Sequence, residues 1–141
     1  MKALVATLIV CFLAIHCLAQ SVNSKDFVCG DCKSLTIREI SKTDEKELYC
    51  FLSGFKKCYN NVEYMEHANP ILFALLQHDS KEMIDLLNKY PELNNKNIYD
   101  ELEHPLVEND IKRLMFIVDR SNDASPIKQV ILNALSKIKN E

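Results

Sequence analysis

Residues 70–90 read PILFALLQHDSKEMIDLLNKY. The first nine, PILFALLQH, are almost all apolar, as in a short helix buried on several sides. The remaining twelve place Met83, Ile84, Leu87 and Tyr90 on one face of a 3.6-residue period, with Asp79 and Glu82 spaced as a capping box. Two consecutive helices are therefore expected. Asn69-Pro70 would open the first, because a proline's missing N–H costs nothing at a helix start.

The same period extends outward in both directions. Upstream, Thr43 is a good N-cap ahead of Asp44 and Glu45, and Leu48, Phe51, Leu52, Phe55 and Tyr59 form one apolar stripe. Downstream, PELNNKN is a turn-rich break, and IYDELEH is long enough for one or two helical turns. In PLVENDIKRLMFIVDR, the residues Val107, Ile111, Leu114, Met115 and Val118 share a face, with His104-Pro105 as a weaker proline start. Ser125-Pro126 opens the most regular stripe: Ile127, Val130, Ile131, Ala134, Leu135 and Ile138. Alternating strand patterns and Asn-Gly or Asp-Gly hairpin turns are absent. The expected fold is all-α, a compact bundle of six or seven short helices.

Residues 69–87 resemble one ankyrin repeat, with Pro70, Ile71, Ala74, Leu86 and Leu87 at the matching positions and His104-Pro105-Leu106 recurring 35 residues on. The turn glycines of that family are missing, the helix spacing is one residue out, and such arrays need about three stacked repeats. The stretch therefore reads as two ordinary amphipathic helices. A Cys-x-x-Cys start also resembles saposins, but their six cysteines and closing C-terminal pair are not matched.

The N-terminus reads as a secretory signal. Lys2 precedes an apolar run from Ala3 to Ile15, and Cys17-Leu18-Ala19 offers small residues to a signal peptidase. A run of about 13 residues is short against the roughly 20 needed to span a bilayer. The expected organisation is a signal peptide over residues 1–19 and a single disulfide-stapled helical domain over 20–141, secreted and extracellular, with no membrane span in the mature form.

Cleavage leaves four of the six cysteines: Cys29, Cys32, Cys50 and Cys58. An even set in an oxidising compartment reads as two disulfides. Cys50 and Cys58 sit on one expected helix, about 12 Å apart by helical rise, too far for a bond that needs Cα atoms within about 7 Å. Excluding that bond also excludes its complement, Cys29–Cys32. Both remaining pairings tie the first segment to the second, with the polar ISKTDEK as the turn of an N-terminal helical hairpin. A hairpin brings near cysteines together and far ones together, so Cys32–Cys50 is expected inside Cys29–Cys58.

Redox catalysis fits poorly. No strand pattern precedes Cys29, and Asp31 beside the thiols would raise their pKa. Cys50 and Cys58 are spaced too widely for a four-cysteine zinc site.

Charge and residue chemistry narrow the function. Removing Lys2 takes the formal net charge from −3 to −4. A mildly acidic chain lacks the clustered basic face that nucleic-acid binding requires. The basic residues of KQVILNALSKIKNE are interleaved with core positions and read as a solvated helix face. His67, His78 and His104 make no close pair of metal ligands, and Glu63 with His67 at i, i+4 reads as an exposed charged pair.

Glu101, Glu103, Glu108 and Asp110 read as solvated surface. Neither a nucleophile elbow nor a phosphate loop occurs, and no cofactor or metal is expected. The functional expectation is a secreted non-enzymatic interaction protein (an effector, a venom or salivary component, or a signalling-type factor) presenting helix faces to an extracellular protein. The alternative is an extracellular carrier of a small apolar ligand or lipid. Phe27, Phe51, Phe55, Phe73, Leu76 and Phe116 could line its cavity, and the same residues would also serve as an ordinary core.

Overall fold

The computed structural model describes residues 27–33, 44–121 and 124–138. These residues form five α-helices, one short 3-10 helix and no strand. The helices are α1 (Glu45–Lys57), α2 (Val62–Lys89), α3 (Lys96–Glu103), α4 (Ile111–Arg120) and α5 (Pro126–Ser136). The 3-10 turn, Pro91–Leu93, links α2 to α3. The fold is all-α as expected, with fewer α-helices than the six or seven read from the pattern.

Two causes account for the lower count. The two helices expected within residues 70–90 do meet at Asp79, the expected start of the second, where the backbone leaves helical geometry (φ −138°, ψ 42°). No loop separates them, so they count together as the one element α2. That residue is a sharp bend. A straight helix would hold Tyr64 and Lys89 about 37 Å apart. Yet Tyr64 bonds to the Phe51 carbonyl and Lys89 to the Glu45 carboxylate, two residues less than two turns apart on α1. The other cause lies upstream. Residues 27–33 are a non-helical strap rather than a helical arm. The rest of the expected arm, residues 34–43, falls outside the described residues, as do residues 1–26.

Helix starts follow their capping side chains. Asp44 caps α1 by accepting from the Glu47 N–H at 2.8 Å, one residue beyond the expected Thr43, which is outside the described residues. Asn61 caps α2 through the Tyr64 N–H at 3.0 Å. Pro70 therefore sits well inside α2, with no N–H to offer the Glu66 carbonyl, rather than at a helix start. Asp110 caps α4 through the Arg113 N–H at 3.0 Å, so the helix begins after the expected His104-Pro105 start. This leaves Val107 in the connecting loop, 45% exposed. Ser125 with Pro126 opens α5 as expected.

Asn69 explains why the Asn-Pro pair is no cap. Its side chain is fully buried, with Nδ2 donating to Glu101 O (3.2 Å), Glu101 Oε2 (2.9 Å) and His104 O (3.1 Å). Its Oδ1 accepts from the Leu106 N–H at 2.9 Å. One amide thus closes the end of α3 and pins the loop toward α4. A buried amide satisfied at both ends fixes the register of two elements.

α2 is the central element, packing against every other helix. The core comprises the expected stripes: Leu48, Phe51, Leu52 and Phe55 from α1; Met83, Ile84, Leu87 and Tyr90 from the end of α2; Ile111, Leu114 and Val118 from α4; Ile127, Ile131, Ala134 and Leu135 from α5. Val130 and Tyr59 leave their stripes for the surface. Lys128, expected on a solvated face, instead reaches the α4 end, donating to Ser121 O at 3.1 Å and to Asp119 O. No helix among the described residues is long and apolar enough to cross a membrane.

Candidate functional site

The four cysteines among the described residues, Cys29, Cys32, Cys50 and Cys58, are all in disulfides, but not in the nested order. Cys29 bonds to Cys50 and Cys32 to Cys58, with Cα separations of 5.3 and 5.8 Å. The reason is the strap's conformation. Three residues of extended chain cover about 10 Å, and eight residues of helix rise about 12 Å. A non-helical strap running alongside α1 in the same direction can therefore match both spacings, whereas nesting requires an antiparallel helical arm.

The strap has two further fasteners. The Phe27 ring enters a notch between Tyr49 (centroids 5.1 Å apart) and Tyr90 (5.9 Å), which themselves meet edge to face at 5.0 Å. The Lys57 ammonium donates to Gly30 O at 2.7 Å. Beneath the notch, Glu45 accepts from Lys89 (2.7 and 2.9 Å) and from the Tyr90 hydroxyl (2.6 Å). These donors hold the Glu45 carboxyl below the usual carboxylate range, and burial together with that carboxylate pushes the Tyr90 phenol up. Tyr49 completes the frame by donating to Glu92 Oε1 at 3.2 Å.

Where α1 ends and α2 begins, the Cys32–Cys58 bridge lies in an indented corner. An open depression of about 530 Å³ runs from Lys56 to Val62 along one side of Cys32. A second, of about 260 Å³, is bordered by Lys33, Glu63, Tyr64 and His67, and the two share Cys32 and Asn61. Tyr59 and Val62 stand in the larger one, 45% and 69% exposed. The corner is built on a rigid joint. Gly54 lies under the Tyr64 ring, where a Cβ would meet the hydroxyl at 2.1 Å, and that hydroxyl donates to Phe51 O at 2.9 Å. Burial pushes the Tyr64 phenol above its ordinary range, so it remains a donor.

The other singled-out residues are scattered. Glu63 and His67 both border the smaller depression, but among the described residues no three His, Cys, Asp or Glu side chains are grouped to hold a metal ion. His104 caps α3, its ring Nδ1 at 2.8 Å from Asp100 O. Glu101 is engaged by Asn69, and Glu103 pairs with Lys137 at 2.6 Å. Glu108 and Asp110 border a pocket of about 160 Å³ with Arg113.

Of the six apolar residues considered for a ligand cavity, Phe51, Phe55, Phe73 and Leu76 are fully buried in the core. Phe27 fills the tyrosine notch, and Phe116 is 59% exposed. Sequence reading missed Asn69 as a hub and Gly54 as a contact point. A glycine inside the apolar stripe FLSGF was the available signal for the second.

Comparison with protein-family models, with curated proteins and with solved structures gives no match.

Proposed function

We propose that the chain is a secreted, non-enzymatic interaction protein, made with residues 1–19 as a cleaved signal, whose rigid helical surface meets an extracellular protein. The observation that carries this reading is the corner around Cys32–Cys58. There a covalent bridge and the Gly54–Tyr64 joint hold Tyr59 and Val62 outward beside open depressions. Apolar and aromatic side chains exposed on a rigid rim are what protein contacts use, because little conformational entropy is lost on docking. Two disulfides are consistent with an extracellular location.

The test has two stages. Secretory expression followed by intact-mass analysis of the medium should recover a chain beginning at Gln20 with no free thiol. Retention of residues 1–19 in a cell-bound product would defeat the secretion claim. Crosslinking in the extracellular fluid of the source should then join a defined protein to Lys33 or Lys56, and the yield should fall in a Tyr59→Ala/Val62→Asp variant. Stoichiometric co-purified lipid, with no such crosslink, would favour the carrier instead.

A further inference from the structure

The α4 helix has a second character on the side turned away from the core. Ile111, Leu114 and Val118 point inward, while Lys112, Phe116 and Arg120 are all exposed. They follow one another at i, i+4 and i+8 and so form a ridge about 12 Å long. At its centre is Phe116, 59% exposed, and the Arg120 guanidinium lies over its ring, 5.1 Å from the centroid. Among the described residues, neither Lys112 nor Arg120 makes an ion pair. Asp119, the sole acid within α4, is opposed by Lys128 at 3.7 Å. A cation–aromatic–cation line is thus set into a chain of formal net charge −3.

We propose that this ridge is a docking surface for an acidic protein segment that presents carboxylate, apolar side chain and carboxylate on one face of an extended chain. Charge complementarity selects the occupant, and spacing selects its pattern. In an extended strand, residues i, i+2 and i+4 share a face and span about 13 Å, close to the ridge length. An acid-x-apolar-x-acid segment therefore places one carboxylate at Lys112, its apolar side chain on the free face of Phe116, and the second carboxylate at Arg120. The guanidinium can accept that carboxylate in a two-bond fork while remaining stacked on the ring. A flat anionic membrane fits less well: it would face the exposed Asp119 next to the ridge, as well as the net negative body, whereas a peptide touches only the line itself.

The ridge is separate from the disulfide corner, since none of Lys112, Phe116 and Arg120 borders either depression there. Its test is therefore independent of the reading of that corner. The probe is a labelled, end-blocked peptide of sequence Gly-Glu-Ser-Leu-Ser-Glu-Gly, titrated by fluorescence anisotropy into the full mature chain with its disulfides formed. Saturable binding that weakens as salt is raised is expected. Phe116→Ala should lower affinity about tenfold, and Lys112→Glu/Arg120→Glu should lower it by at least tenfold. Lys96→Glu, an exposed charge reversal on α3, should leave it unchanged.

All three positions are exposed, so circular dichroism of each variant should match the parent. Absence of binding, or binding that survives the double reversal, overturns the proposal. So does a peptide with both Glu replaced by Gln binding equally well. Phe116-dependent binding to phosphatidylserine vesicles without peptide binding would assign the ridge to membranes instead, and Phe116-dependent dimerisation in sedimentation would assign it to self-association.

Discussion

Between Phe27 and Lys33 no side chain is fully buried, whereas every buried side chain among the described residues lies between Leu48 and Leu135. Both disulfides belong to the boundary between these regions, each joining the strap to α1 or to its C-cap. None of the five helices is crosslinked to another. The strap is too short to bury itself, so covalent bonds and one aromatic notch hold it. The body is held by apolar packing around α2, with Asn69 fixing its register. Small secreted domains are often read as stapled because their cores are small. Here the staple serves the appendage, and the body stands on its own core.

The largest expected effect tests the body's half of that comparison. Leu135 is fully buried on α5, so Leu135→Asp introduces an unpaired charge into the core and should cost about 4 kcal/mol or more. Two positions on, Lys137 is exposed and pairs with Glu103 at 2.6 Å. Lys137→Asp should cost at most about 1 kcal/mol. Urea unfolding of both variants with disulfides intact is the measurement. Similar midpoints would mean that α5 does not contribute to the body.

A smaller effect sharpens the boundary. In an exposed helix interior, Gly→Ala stabilises by roughly 1 kcal/mol. At Gly54 the sign should reverse, because the added Cβ falls 2.1 Å from the Tyr64 hydroxyl and 2.5 Å from its ring carbon. The ring would have to move and give up its bond to Phe51 O, for a net loss of about 1–3 kcal/mol. A stabilised Gly54→Ala protein would show that the α1–α2 joint is loose and that the corner is not rigid.

These contrasts mark what a single sequence makes legible. The apolar stripes were readable because helix phase is local: Ile111, Leu114 and Val118 share a face, and the same phase already turns Phe116 outward, away from any interior cavity. The disulfide order was not readable from spacing alone, because it depends on whether residues 27–33 are helical or not and on the direction in which they run. Asn69-Pro70 misled for a related reason. Its local pattern is that of a helix start, while its bonds go to residues 101–106, more than thirty positions away. Where an interaction is long-range and polar, periodicity carries no trace of it.

Cutting both disulfides should cost less than either core substitution, and it is the change most able to break the comparison. On a chain-entropy estimate, each bond closes a loop worth about 3 kcal/mol. That figure applies in full only if the strap keeps its native position when the bonds are cut. Without them, the strap retains the Phe27 notch and the Lys57–Gly30 hydrogen bond. Neither offsets the cost of ordering seven residues at roughly 1–2 kcal/mol each. The reduced strap should therefore detach, regaining in the native state most of the freedom that it gains in the unfolded one. Global stability should then fall by only about 1 kcal/mol.

Reduction of the folded protein, followed by alkylation, should leave helical circular dichroism nearly unchanged while protease cleaves near Lys33. The Cys29–Cys50 bond should be reduced first, since Cys50 is half-buried whereas Cys58 is 2% exposed. Collapse of helicity on reduction would show that the strap is part of the folding core, and the division between appendage and body would fail.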